Sequence, residues 1–360
     1  MTALGAHMTG SASRGIALDV QFTVNPSDRL ALIGPNGAGK TSVLRLIAGL
    51  DTPRPGSNIS VGGAPLTQLP AWKRRIPLVF PEPHLPPTQR VGTVLNHIAR
   101  THHGRTAATQ HVAAILDRTG LTSLVDRRTS TLSSGQATRV AIACALTAPH
   151  DALLLDEPFS ALDTATAAEI RAAVRSLMAA QNTPLVFTTH HPLDVLTLAT
   201  HVAVIEEGTL IQYGTVEDVS RTPRSAFAAR FLGVNIVAAQ RDHTAPDQLV
   251  LSSGHILASV AEGRDASTEP SHVWVSFRPS DITVSRGSTA TSQRNQWAAQ
   301  VDHIEILGSL ARLHLTGPLP VWADITVDAL LDLRITEGDT VTAGLKATSL
   351  SIYARGDAHD

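Results

Sequence analysis

Gly34-Pro35-Asn36-Gly37-Ala38-Gly39-Lys40-Thr41 fits the spacing G-x-x-x-x-G-K-[ST] at every fixed position, the pattern of a loop that cradles phosphates. Its flanks decide how it folds. Leu30-Ala31-Leu32-Ile33 ahead of it is a short apolar run of the buried-strand kind, and Val43, Leu46, Ile47 and Leu50 behind it recur at helical spacing. A strand, a glycine loop and a helix in that order turn backbone N–H groups toward a polyphosphate at a helix N-terminus. The glycines let the backbone come close, Lys40 offers a point charge to the outer phosphates, and the Thr41 hydroxyl is a ligand for Mg²⁺. The plain alternative, a glycine turn before a core helix, leaves the complete motif and both of its flanks unexplained.

Working outward, Ala152-Leu153-Leu154-Leu155 is a second apolar run and ends in Asp156-Glu157. At the tip of a parallel strand such a pair comes beside the phosphate loop, at the carboxyl end of the sheet. Asp156 can hold Mg²⁺ there, directly or through water, and Glu157 can act as general base on an attacking water. Asp163 lies just beyond, after Ser160-Ala161-Leu162. In isolation an Asp-Glu pair reads as a solvated helix start; the phosphate loop upstream reverses that preference. Between the two stretches stands Leu132-Ser133-Ser134-Gly135-Gln136, followed by a helix over 136–147. The N–H groups of Ser133 and Gly135 at that helix start form a second anion site.

The rest of the first part alternates strand and helix signals. Leu18, Val20, Phe22 and Val24 alternate with polar residues, a half-buried strand of the antiparallel kind. Ile59–Val61 and Ile76–Phe80 read as strands, the second running into a loop with Pro81, Pro83, Pro86 and Pro87. A helix is expected over 105–119, with the pair His102-His103 in a polar loop before it. Another helix carries Ile170, Val174, Leu177 and Met178, and a strand Leu185–Thr189 ends in His190. Val202–Ile205 and Leu210–Ile211 flank Glu207-Gly208 as a hairpin. This order predicts a mostly parallel sheet with an antiparallel addition. Near residue 233 the character changes to short alternating runs such as Val273/Val275/Phe277 and Leu313/Leu315, which predict a small all-β barrel or sandwich. The β segments hint at a duplicated unit.

Composition sets outer bounds. The 360 residues suggest two domains, with 43% hydrophobic and 17% charged residues. A net charge of −2 gives no electrostatic case for nucleic acid or an anionic lipid surface. Cys144 is the only cysteine, so no internal disulfide can form; it sits on an apolar helical face with Val140 and reads as a core thiol. The 16 histidines show no metal-site spacing. The first 15 residues lack the apolar segment of a signal peptide, and no apolar run is long enough to cross a bilayer.

The set of motifs resembles the nucleotide-binding subunit of ATP-binding cassette (ABC) transporters. Phosphate loop, signature, Asp-Glu strand, Ser-Ala-Leu-Asp loop and His190 follow in the family's order over roughly residues 15–225. The family signature is usually Leu-Ser-Gly-Gly-Gln; here Ser134 stands third. The resemblance implies an α/β P-loop ATPase over residues 1–232 that works as a homodimer with ATP and Mg²⁺. ATP would lie between Gly34–Thr41 of one copy and Ser133, Gly135, Gln136 and Asp163 of the other. Thr41 and Asp156 would ligate the metal, Glu157 would be the base, and His190 would contact the γ-phosphate and orient the water. Two departures stand out. Pro81 occupies the place of a Gln whose amide normally reaches Mg²⁺ and the water, and proline has no side-chain donor or acceptor. No aromatic residue stands near residues 10–16 to stack on adenine; Arg14 is the substitute at hand.

The C-terminal part, 233–360, resembles the OB-like regulatory domain (TOBE/Mop-like) of importer ATPases. Val275-Ser276-Phe277-Arg278-Pro279-Ser280-Asp281 looks like that family's Arg-Pro-x-Asp strand. Ser292-Gln293-Arg294-Asn295 and Lys346-Ala347-Thr348 resemble the Ser-Ala-Arg-Asn and Lys-Ala-Ser strings of molybdate-binding domains. By that resemblance Ser292, Lys346 and Thr348 are candidate ligands for molybdate, a tetrahedral dianion suited to hydroxyls and an ammonium. Gln293 and Thr348 depart from the strings, and a domain that only spaces two cassettes stays open. The chain as a whole is expected to power a molybdate importer at the cytoplasmic face of the membrane, with permease subunits and an extracytoplasmic binding protein. An importer ATPase for sulfate, iron or polyamine, and a weakly hydrolysing ATP-gated regulatory module, are the alternatives.

Overall fold

The computed structural model describes residues 3–11, 15–102, 104–242, 245, 247–260, 271–287 and 293–354. It divides into two compact units, Met1–Val216 and Glu217–Asp360. The strands of the first are β1 (Leu4–Ser11), β2 (Ala17–Val24), β3 (Arg29–Ile33), β4 (Asn58–Val61), β5 (Ala64–Pro65), β6 (Leu78–Val79), β7 (Leu153–Leu155), β8 (Leu185–Thr188), β9 (His201–Glu206) and β10 (Thr209–Thr215). Its helices are α1 (Lys40–Ala48), α2 (Val91–His102), α3 (Arg105–Arg118), α4 (Ser134–Thr147), α5 (Thr164–Gln181) and α6 (Pro192–Leu198), and α7 (Val216–Arg221) spans the division.

All ten strands form one sheet, ordered β5-β4-β1-β2-β10-β9-β3-β8-β7-β6. The neighbours β9, β3, β8, β7 and β6 pair in parallel. Their apolar runs are buried on both faces, as parallel strands under helices must be. The other end is antiparallel. On β2 burial alternates residue by residue, with Leu18, Val20, Phe22 and Val24 inward, as their spacing predicts.

Three local features differ from the sequence reading or are absent from it. β1 pairs along all of β2, from Leu4↔Val24 to Ser11↔Ala17, yet its inward residues are only Leu4, Ala6 and Met8, too faint an alternation to read alone. β6 is two residues long, not five, because Pro77 and Pro81 lack the N–H that a longer ladder needs. α2 was not anticipated: Val91, Val94, Leu95 and Ala99 do hold helical spacing, but the prolines ahead hid its start. It takes in His102, which therefore ends a helix instead of lying in a loop; His103 lies outside the described residues.

Cys144 sits on α4, where burial pushes its thiol up to about 12. The thiolate is the reactive form, so the folded protein is expected to resist iodoacetamide at pH 8 while the denatured chain is alkylated at one site. Mass spectrometry of the two samples checks this.

The second unit contains α8 (Ala226–Leu232), β11 (Asn235–Arg241), β12 (Gln248–Leu251), β13 (Ile256–Ala258), β14 (His272–Phe277), β15 (Ile282–Ser285), β16 (Asn295–Leu307), β17 (Leu310–Thr316), β18 (Val321–Thr326), α9 (Val327–Asp332), β19 (Thr340–Leu345) and β20 (Ser351–Ala354). The sequence reading ends the cassette at 232, whereas in the structure α8 lies in the second unit. There Tyr353 donates to the Pro223 carbonyl at 2.5 Å and Ser276 to that of Arg221 at 2.9 Å.

Two five-stranded sheets, β13-β12-β11-β14-β20 and β15-β19-β16-β17-β18, close on one apolar core that includes Leu257, Val275, Trp297, Leu313 and Val341. The hinted duplication is visible in this order. Strands β11 to β15 and β16 to β20 are two copies of one pattern, and each copy lends its last strand to the other's sheet: β15 pairs with β19, and β20 with β14. The central strands open on the related strings Asn235-Ile-Val-Ala-Ala-Gln240 and Asn295-Gln-Trp-Ala-Ala-Gln300. Both asparagines are buried and act alike. Asn235 exchanges two hydrogen bonds with the backbone of Trp322 on edge strand β18, each 2.8 Å. Asn295 does the same with Ala258 on edge strand β13, at 2.6 and 3.0 Å.

Candidate functional site

The parallel order β3-β8-β7 brings three loops side by side at the strands' carboxyl ends: Gly34–Thr41 after β3, Thr189-His190 after β8, and Asp156-Glu157 after β7. This is where an open α/β sheet binds its ligand.

The phosphate loop is held by backbone on both sides. A Cβ on Gly34 would lie 2.0 Å from the Ile205 carbonyl oxygen. Gly39 starts α1 with φ of 100°, and no side chain caps the helix. Its first N–H groups therefore remain open to an anion. Behind the loop, the β9–β10 turn braces it: the Gly208 N–H donates to the Ala38 carbonyl at 3.1 Å. At the far end of α1, buried Arg74 donates to the carbonyls of Leu46 and Ile47 at 2.8 and 2.7 Å, a cation placed where the helix dipole favours it. The Lys40 ammonium is folded onto the loop, donating to the carbonyls of Gly34 at 2.7 Å and Pro35 at 2.9 Å. Burial pushes its pKa down, while Glu157 and Asp156 pull it back up.

Asp156 is 3% exposed. One of its oxygens accepts from the Thr41 hydroxyl at 2.9 Å and the other from the Thr188 hydroxyl at 2.6 Å. Thr188 in turn accepts from the Glu157 N–H at 2.9 Å. Glu157 has φ of 46°, in the left-handed region that non-glycine residues rarely enter. Its carboxylate meets His190 Nδ1 at 3.3 Å, both side chains remaining partly open to solvent. The structure thus brings Lys40, Thr41, Asp156, Glu157 and His190 into one cluster. Thr188 and Gly208 were missed. Thr188 is hidden in an apolar run, and nothing local marks Gly208 as a support for a loop about 170 residues away in sequence.

The signature opens a different helix from the phosphate loop. α4 packs on α2, α3 and β6, whereas the phosphate loop lies between β3 and α1. Ser133 and Gln136 form a reciprocal capping box, at 3.3 and 3.2 Å. Gly135 packs close to the Ser-Ala-Leu-Asp loop, since a Cβ there would meet Leu162 at 3.0 Å and the Ala161 carbonyl at 3.2 Å. Asp163 caps α5, and the Thr166 N–H holds its carboxyl below the usual range. Pro81 follows β6 beside β7, where the Asp156 N–H donates to the Val79 carbonyl at 2.8 Å.

In the second unit the pairing Asn295↔Leu345 brings the segments of Gln293 and Lys346 to one end of a sheet. Gln293 accepts from Thr283 at 2.9 Å beside Gly344. Lys346 and Thr348 are exposed around a short turn. Ser292 lies outside the described residues, as does Arg14.

The chain is similar to known proteins along most of its length. A family model of ABC transporters matches residues 17–160 and one of TOBE domains residues 291–352. The molybdenum import ATP-binding protein ModC of Mycobacterium tuberculosis is 37% identical over 359 residues, covering 95% of each chain. The molybdate/tungstate import ATP-binding protein WtpC of Pyrococcus horikoshii is 32% identical over 93% of this chain and 95% of its own. The sulfate/thiosulfate import ATP-binding protein CysA of Nitrosomonas europaea is also 32% identical, over 90% and 89%. Among solved structures, an ATP-binding subunit of an ABC transporter superposes with a TM-score of 0.55 at 24% identity, over 61% of this chain and 92% of that one. The chain belongs to the ABC transporter family, as the ATP-binding, ATP-hydrolysing subunit of an importer. Among the described residues no helix is long and apolar enough to cross a membrane.

Proposed function

We propose that this chain is the ATPase of a molybdate importer, acting as a homodimer on permease subunits at the cytoplasmic face of the membrane and fed by an extracytoplasmic binding protein. The 37% identity to a molybdenum import protein over 95% of both chains carries the choice of cargo. The family resemblance supports the dimer: the signature opens α4 and the phosphate loop opens α1, so each chain offers two half-sites for one nucleotide. In the closed pair the loop N–H groups and Lys40 hold the β- and γ-phosphates, and Lys40 exchanges the carbonyls of Gly34 and Pro35 for phosphate oxygens. Ser133, Gly135, Gln136 and Asp163 of the second copy close over the γ-phosphate.

Glu157 takes a proton from the attacking water, and His190 orients that water and contacts the γ-phosphate. The oxygen donors of Thr41 and Asp156, already 2.9 Å apart, fit a hard cation such as Mg²⁺, which when bound neutralises charge on the phosphates. Molybdate bound near Ser292, Lys346 and Thr348 would report the cargo already imported.

The test is uptake of labelled molybdate and sulfate by cells lacking this gene. Loss of molybdate uptake with sulfate uptake intact is the expected result. The converse would make the chain a sulfate importer ATPase, the reading that the sulfate/thiosulfate relative favours.

Pro81 supports slow basal turnover, since its side chain has no amide to offer the water. Pro81→Gln is expected to raise kcat by about 10-fold. A steady-state ATPase assay checks it; an unchanged or lower rate would mean that the site is built around the proline.

A further inference from the structure

Behind His190 lies a buried ion pair with no place in the chemistry above. Asp194, on the first turn of α6, is 4% exposed and Arg171, on α5, is 7% exposed. Arg171 Nε lies 3.4 Å from one Asp194 oxygen. The other oxygen accepts from the Thr189 hydroxyl at 2.5 Å, and the same hydroxyl accepts from the His191 N–H at 2.9 Å. Residues on both sides of His190 are thereby tied to one carboxylate. The guanidinium also donates to the Ala167 carbonyl at 3.1 Å and the Thr197 hydroxyl at 3.2 Å, and it lies over the Phe159 ring, 5.8 Å from its centre. Phe159 is two residues past Glu157, in the turn where Ser160 donates to the Glu157 carbonyl at 2.9 Å.

We infer that Arg171, Asp194 and Thr189 are positioning residues that fix the loop of His190 relative to the loop of Glu157. A buried ion pair is poor value as a stabiliser, because desolvating both charges cancels most of their attraction; well-packed apolar residues of similar size usually serve stability as well or better. What a charge pair adds is direction. Here it joins the segments that bear the two groups meeting at 3.3 Å. The strained φ of 46° at Glu157 also needs surroundings that hold it. The network lets His190 stay exposed and still point one way.

The inference rests on the role proposed for His190, so its test is a double-mutant cycle in the full chain, with Mg²⁺-ATP turnover as the readout. Thr189→Val removes the hydroxyl and keeps the branched shape. It is expected to lower kcat on the order of 10- to 100-fold while leaving the KM for ATP within about 2-fold, and Thr189→Ser is expected to restore the rate. In a His190→Ala background the same change is expected to alter kcat by less than about 2-fold, because the residue it positions is gone. Equal losses in both backgrounds, or no loss in the parent, would overturn the inference. A His190→Ala protein with parental turnover would instead remove the role of His190, and the positioning role would fall with it. The double variant Arg171→Met, Asp194→Leu guards against simple unfolding. Its thermal midpoint is expected to equal or exceed the parent's while kcat falls as for Thr189→Val; full activity in that variant would likewise overturn the inference.

Discussion

Glu157→Gln is expected to lower the hydrolysis rate by about 10²- to 10⁴-fold while ATP binding persists. The amide keeps the size of the side chain and can still meet His190, but it cannot accept a proton from water. Nothing that holds the phosphates is touched: the ammonium of Lys40, the open N–H groups of α1 and the Thr41–Asp156 pair all remain. Because the Glu157 N–H bond to Thr188 comes from the backbone, the left-handed turn survives the change too. ATPase assay beside equilibrium binding of a labelled nucleotide separates the two effects. Undiminished turnover would show that another group activates the water.

The second large effect is expected away from the chemistry, at Gly208. A Cβ there would sit 1.8 Å from the Ala17 carbonyl oxygen, and φ is +82°. Neither the clash with backbone nor the left-handed turn can be relieved by a side-chain rotation. Gly208→Ala is expected to destabilise the first unit by about 3 kcal/mol and to raise the KM for ATP, since the turn that moves is the one bonded to Ala38 in the phosphate loop. Gly63→Ala is the control: its φ of +81° is similar, but no atom lies within 4 Å of the added carbon. Denaturant unfolding and nucleotide titration of both variants measure the difference. Equal loss in the two would mean that turn strain alone matters.

These residues also mark how far the sequence could be read. The phosphate loop and the Asp156-Glu157 strand tip were legible because each couples a local pattern of apolar residues to a chemical group at its end, whereas His190 stood out only by its place in the family's order of motifs. Parallel strands with both faces buried announce themselves in this way. β1 was not legible because three small or modest apolar residues specify a strand only once β2 and β4 lie on either side of it. Thr188 was not legible because a hydroxyl within a buried run gains meaning only when β8 is set beside β7. The paired network of Arg171 and Asp194 joins residues 23 positions apart on two helices. Neither residue type nor spacing distinguishes such a pair from solvated surface charge, and only the fold reveals that both are buried. The duplication in the second unit was a hint in the sequence because the repeats share few residues; strand order, with its exchanged fifth strands, makes it plain.

That exchange has a mechanical consequence. Sheets held only by apolar packing can slide past one another with little change in energy, because oily contact has no direction. The amides of Asn235 and Asn295 do have direction. Each occupies one N–H and one carbonyl on the opposite sheet's outermost strand, and the swapped strands β15 and β20 carry the chain itself from one sheet into the other. The second unit is therefore stiff in shear. Neither repeat can loosen alone, since each keeps part of itself as hostage in the other, and one residue on each of the outer strands β13 and β18 is clasped by the opposite sheet.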